Sequence, residues 1–169
     1  EPNQVRHKIA VVDTFRGRSW LRGKVDFIGL GQFEVTGQTS AGFPKLPLRV
    51  ELNDELGNDQ AASPLGLPAE ADWMLRNPYS DKCLMNDFLA HELHESMGHY
   101  SPRQRLVEVF VTATKSKLSY PGNYQGVYLL LERIEAGQDR VNIQRLGSGA
   151  AAEPEITGGY MVKKDKDSP

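Results

Sequence analysis

Cysteine is almost missing from this chain of 169 residues: Cys83 stands alone. That excludes an intrachain disulfide and a cysteine-built zinc site, and leaves the compartment open. Long apolar runs are missing as well. None approaches the roughly 18–20 residues a helix needs to span a bilayer, so no membrane span is expected. Neither sign of charge prevails, since 20 Lys and Arg against 22 Asp and Glu leave a net charge of −2. No global field therefore favours nucleic acid or acidic lipid as a partner. There is no Gly-x-Ser-x-Gly elbow, and no Ser/His/Asp order points to a hydrolytic triad. An initiator Met and a signal peptide are also lacking; Glu1-Pro2-Asn3 reads as the start of a trimmed or mature chain. "MVKKDKDSP" (161–169) stops on a charged strand exit, as though more protein follows.

What is present fits a soluble globular domain, with 39% apolar and 25% charged residues and length enough for one core over 1–169. Strands are expected at "KIAVVD" (8–13) and at "PLRVELND" (47–54), where Leu48, Val50 and Leu52 alternate with charged residues. "KVDFIGLGQFEVTGQ" (24–38) alternates but breaks at Gly29 and Gly31, which predicts a hairpin or a bulged strand. A loop rich in Gly, Pro, Asn and Asp follows over 55–73. One strong helix comes next, capped by Ser80 or Asp81 and closed by Gly98. Its apolar residues Leu84, Phe88, Leu89, Leu93 and Met97 recur at helical spacing. The spacing predicts that Leu93 and Met97 pack this helix onto the sheet, with its histidines facing water. Strands at 106–114 and 125–134, a short one at 139–146 and a last one at 157–164 complete the pattern, with a flexible stretch at 147–155. Five to seven strands and one principal helix make an α+β domain with a mainly antiparallel sheet.

"HELHESMGHY" (91–100) holds three of the four histidines and comes close to the zinc-protease signature. That signature needs histidines at i and i+4. Here the position four after His91 is Glu95, and the second histidine is His94, so the spacing fails. A His91/His94/Glu95 metal site is geometrically open, against a solvated helix face as the plainer reading. "GLGQFEVTG" is not followed by a helix, so its Gly-x-Gly is no dinucleotide fingerprint. Arg16, Arg18, Arg22 and Lys24 form a basic cluster without stacking aromatics, which reads as a solvated turn ahead of an anion site. Lys45, at the entry of the 47–52 strand, and Glu132, at the exit of an apolar run, are either two surface charges or a phosphate-binding pair.

Several stretches, in order, resemble the spore-coat CotH kinase family. They are "TGQTSAGFPKLPLRVEL" (36–52), "LGLPAEADWMLRNPYSDKCLMNDFLAHELHESMGHYSPRQRLVEVFV" (65–111), "YQGVYLLLERIEAGQDRVNI" (124–143) and "GGYMVKK" (158–164). Each motif is short, and their order and spacing carry the resemblance over residues 35 to 164. It implies an atypical protein kinase that binds ATP with Mg²⁺ or Mn²⁺ and phosphorylates protein serines. The chain then looks like the N-terminal lobe of a divergent kinase-like fold, with the catalytic lobe and its metal-binding aspartates after residue 169. Alone it is expected to be inactive, with no catalytic or metal residue of its own. The resemblance makes Lys45 a phosphate contact, with Gly37 to Ser40 as the accompanying glycine/serine motif. It matches Glu132 to the family's strand glutamate, and places Tyr160 where a ring could stack on adenine. A coat or surface protein would be the substrate, and the cell envelope, the exterior or a spore coat the location; oligomeric state is left open. The family's arginine in its first motif is Thr36 here, its second lysine is Leu46, its tyrosine is Leu48, and its arginine-asparagine pair is Asn86-Asp87. Three positive charges are thereby lost, which favours a rival of another class: a non-catalytic surface binding or adhesion module. A metal hydrolase on the His91 helix is the third reading.

Overall fold

Strands form where side chains can alternate between a core and a second face, and the described residues supply six such stretches. The computed structural model describes residues 6–14, 17–20, 23–114, 116–144, 146–157 and 159–162. Its elements are β1 (His7–Val12), β2 (Val25–Val35), β3 (Leu48–Asn53), β4 (Asp72–Arg76), α1 (Asn86–Ser96), β5 (Gln104–Phe110) and β6 (Tyr124–Glu132). The six strands form one sheet in the order β1-β2-β3-β4-β6-β5, and every neighbouring pair is antiparallel. The α+β architecture with a mainly antiparallel sheet and one α-helix is therefore what forms. The chain divides into two compact units, Glu1–Arg133 and Ile134–Pro169; sheet and helix belong to the first.

Register assigns the faces. Val50 lies opposite Trp73, and Leu75 lies opposite both Leu48 and Leu130. With a period of two, Val50, Leu52, Trp73, Leu75, Tyr128 and Leu130 fall on one side. They form the core together with Leu67, and Trp73 is only 1% exposed. The loop between β3 and β4 lays Leu65 and Leu67 over this face. It is shaped by its own polar groups: Asp54 Oδ1 accepts the N–H groups of Leu56 and Asn58 at 2.9 Å each, an Asx turn. Trp73 Nε1 donates to the Glu70 carbonyl at 3.0 Å, so the buried indole has its partner.

The second face carries Arg49, Asp72, Met74, Arg76, Leu131 and Gln104, and α1 is tethered there. The tethers are polar. Gln104 Nε2 donates to the Phe88 carbonyl at 2.9 Å, and His91 Nδ1 shares a hydrogen with Ser101 Oγ at 2.8 Å. Here the expectation that Leu93 and Met97 pack onto the sheet is reversed, while His94 and His99 are exposed as expected and His91 is half-buried. The helix has no fully buried residue, and Leu89, Leu93 and Met97 are 56%, 64% and 65% exposed. The period was right and the phase was wrong, because hydrogen bonds rather than apolar contacts dock the helix. Gly98 does close it, at φ +84. The start falls at Asn86, later than the apolar spacing implies, because Leu84 stands at φ +60, outside the right-handed helix.

Other differences are local. β4 lies at the end of the stretch expected to be loop; it is five residues long, and its charged ends hide the alternation of Trp73 and Leu75. The stretch with Gly29 and Gly31 is a single long strand rather than a hairpin, and its register against β1 shifts between Val11 and Val12, the bulged-strand alternative displaced from the glycines. A Cβ on Gly31 would overlap Ile9 and the Glu51 carbonyl. The strand expected over 139–146 is reduced to an isolated bridge between Ala136 and Val141. The described residues 159–162 of the expected last strand are not paired in a sheet. Of the basic cluster, Arg18 and Lys24 are exposed, while Arg16 and Arg22 lie outside the described residues.

Candidate functional site

Between the turn of the β2–β3 hairpin and the start of α1 lies an open cleft of about 630 Å³. The hairpin closes where Thr36 N–H donates to the Pro47 carbonyl at 3.0 Å. Gly37 opens the turn at φ +83, and a Cβ there would overlap the Ser40 hydroxyl, so glycine is required on two counts. It is lined by Thr36, Gly37 and Ser40 of the hairpin turn, Met74 and Arg76 of β4, Leu131 of β6, Asp81 ahead of α1 and Asp87 in its first turn. Phe43 and Tyr79, whose rings pack 5.0 Å apart, flank it.

The lining at the helix start is held by hydrogen bonds. Asp81 accepts the N–H groups of Cys83 at 3.0 Å and Asn86 at 2.7 Å. Those bonds, the one from Asn86 foremost, hold its carboxyl below the usual range. The N-cap position is held by Met85, not by Ser80 or Asp81 as expected; Asp81, five residues before the first helical position, accepts that position's N–H instead. Asp87, in the first turn, accepts from Arg76 Nε at 2.5 Å. This pair ties the end of β4 to the start of α1.

Of the residues singled out from sequence, Gly37 and Ser40 line the cleft, while Lys45, Glu132 and Tyr160 do not. Lys45 lies across the core face of β6: its ammonium donates to the Val127 carbonyl and sits 4.5 Å from the centre of the Tyr128 ring. Burial pushes its pKa below the ordinary lysine value. Glu132 is no surface charge, being 0% exposed and bonded to Arg103. Tyr128 and Glu132 are four residues apart on one strand, roughly 13 Å at 3.3 Å per residue, so Lys45 and Glu132 do not meet. Tyr160 lies in the second unit, exposed, with its hydroxyl donating to the Ile156 carbonyl. Among the described residues no three His, Cys, Asp or Glu side chains gather as a metal would need. His94 instead stacks on His99 with ring centres 5.0 Å apart. No helix of the described residues is long and apolar enough to cross a membrane.

Arg76 and Asp87 escaped sequence reasoning. Arg76 ends a strand too short for its pattern to be seen, and Asp87 registers only as a departure from an arginine-asparagine motif. Their spacing of eleven residues says nothing until β4 and α1 are placed side by side.

No curated protein and no solved structure matches the chain. The profile of the CotH kinase protein family does, over residues 33–167. That span runs from the end of β2 through the cleft, the helix and both remaining strands into the second unit, and the chain belongs to the CotH kinase family.

Proposed function

We propose that this chain is the nucleotide-binding lobe of a CotH-type protein kinase that moves the γ-phosphoryl group of ATP to protein serine hydroxyls. The observation that carries this reading is the succession of elements around the cleft. A hairpin whose turn bears Gly37 and Ser40 is followed by a third strand, a helix, and two strands, the last inserted beside the third. Protein kinases cover the phosphates with a glycine-rich hairpin and draw a cation from the third strand, which is the same division of labour. ATP arrives with Mg²⁺ or Mn²⁺, which neutralises phosphate charge; the described residues offer no metal cage of their own. Lys45 serves as a phosphate contact once it leaves the Val127 carbonyl, Glu132 fixes β6 through Arg103, and Tyr160 offers a ring to the base. The substrate on this reading is a coat or surface protein, met at the envelope, outside the cell or in a spore coat.

The test is nucleotide binding by the whole chain. Thermal unfolding should shift upward with ATP and Mg²⁺ or Mn²⁺, and Lys45→Ala should reduce the shift. In the complete protein, radiolabelled ATP should label a protein substrate. A second reading, a non-catalytic surface binding module, is favoured by the uncharged Thr36, Leu46 and Asn86. It is the correct one if no nucleotide shifts the unfolding temperature.

A further inference from the structure

We infer that Arg76 is the cation that receives the terminal phosphates of a nucleoside triphosphate in this chain, oriented by Asp87; this rests on the nucleotide-binding reading above. A phosphate is best held by a guanidinium whose two terminal nitrogens are free and whose third is pinned. Arg76 meets that description. Its Nε is bonded to Asp87 at 2.5 Å, and its side chain is 57% exposed at the cleft. Its two terminal nitrogens make no hydrogen bond with the described residues. The other arginines in or beside the strands β3, β5 and β6 are engaged: Arg49 with Asp72 and Glu51, Arg133 with Asp72, Arg103 with Glu132, and Arg105 with the Leu65 and Gln104 carbonyls.

The surroundings fit. Thr36 and Ser40, in the same lining, bring hydroxyl groups from the hairpin turn. The Asp87 carboxylate is paired with Arg76, and that of Asp81, which keeps its charge, is held by the N–H groups of Cys83 and Asn86. Position points the same way. Kinases place a lysine on the third strand and bond it to a glutamate on the following helix. Counted from the β2–β3 hairpin, β4 is the third strand and α1 the following helix, with arginine and aspartate in the two places. Lys45, by contrast, does not line the cleft, and reaches a phosphate only after leaving the Val127 carbonyl and the Tyr128 ring.

The experiment is isothermal titration of the whole chain with Mg·ATP, inorganic tripolyphosphate and adenosine. Both phosphate ligands should bind. Arg76→Ala should weaken both about ten- to a hundredfold, the loss of a charge-assisted bidentate contact. Arg76→Lys should recover only part, because an ammonium cannot hold two oxygens in one plane. Lys8→Ala, a charge-matched change on the edge strand β1, should bind as the parent does. Circular dichroism checks that each variant is folded; if Arg76→Ala is not, Arg76→Lys decides. Asp87→Ala should also weaken binding despite removing a negative charge, and Asp87→Glu should restore it. Stronger binding in Asp87→Ala would overturn the orienting role. Mg·ATP binding that survives Arg76→Ala within about twofold overturns the assignment and leaves the nucleotide reading intact. Arg76-dependent binding of tripolyphosphate, with Mg·ATP no better and adenosine not bound, upholds Arg76 as a phosphate site and removes the nucleotide reading. If the chain binds neither phosphate ligand, both fall.

Discussion

Glu132 and Arg103 lock β5 to β6 in the interior. The Glu132 carboxylate, with no exposed surface, takes the Arg103 N–H on Oε2 at 2.9 Å, and Nε and a terminal nitrogen on Oε1 at 2.9 and 2.8 Å. The backbone completes the lock, as Glu132 N–H donates to the Arg103 carbonyl at 3.1 Å. A buried carboxylate deprived of its cation is far costlier than a lost surface pair. Arg103→Ala should lower the unfolding free energy by about 3 kcal/mol, the low end for a buried pair because the guanidinium is 36% exposed. Urea denaturation measures it; a loss below about 1 kcal/mol would show that the carboxylate is satisfied without Arg103.

The exposed stripe of α1 makes an opposite prediction. Leu93→Ala and Met97→Ala should each change stability by no more than about 0.5 kcal/mol, as surface substitutions do. Leu67→Ala, at a site 2% exposed, should cost about 2–5 kcal/mol. Thermal or chemical unfolding of the three variants side by side checks the contrast. Equal losses would mean that the helix stripe is packed after all.

Gly37 should resist substitution for two separable reasons. Gly37→Ala carries the left-handed penalty of about 1–2 kcal/mol and adds a clash with Ser40. Gly37→Ala combined with Ser40→Ala should recover the second part and keep the first. A double variant as unstable as the single one would show that the backbone angle is the whole effect.

Asp81 sets a pH dependence whose sign is fixed by its bonds. Its folded-state pKa lies below the ordinary 3.8, so its contribution is present above that value and is lost as pH falls through the lowered one. Asp81→Ala should therefore be less stable than the parent near neutrality, with reduced helical signal. The gap between them should narrow below pH 3.8. A gap unchanged down to pH 2 would show that its charge plays no part in holding the helix start.

The alternation of Leu48, Val50 and Leu52, the apolar run before Glu132, and Gly98 as a helix stop are local properties, and each could be read along the chain. The class of fold followed from them, because a period of two or of 3.6 commits a segment before anything packs against it. The family was legible for another reason, since short motifs keep their order whatever the packing. Which face of α1 meets the sheet was not a local matter. It depends on Gln104, Arg76 and Ser101, brought to the helix from three separate segments, and their hydrogen bonds outweigh the apolar stripe that the spacing of Leu89, Leu93 and Met97 offers. The same holds for the cleft. Lys45 stands out in a line of text, yet the fold turns it onto a tyrosine ring. Arg76 gains its meaning from Asp87 and Gly37, because charge and turn are joined across the cleft only after the strands have paired.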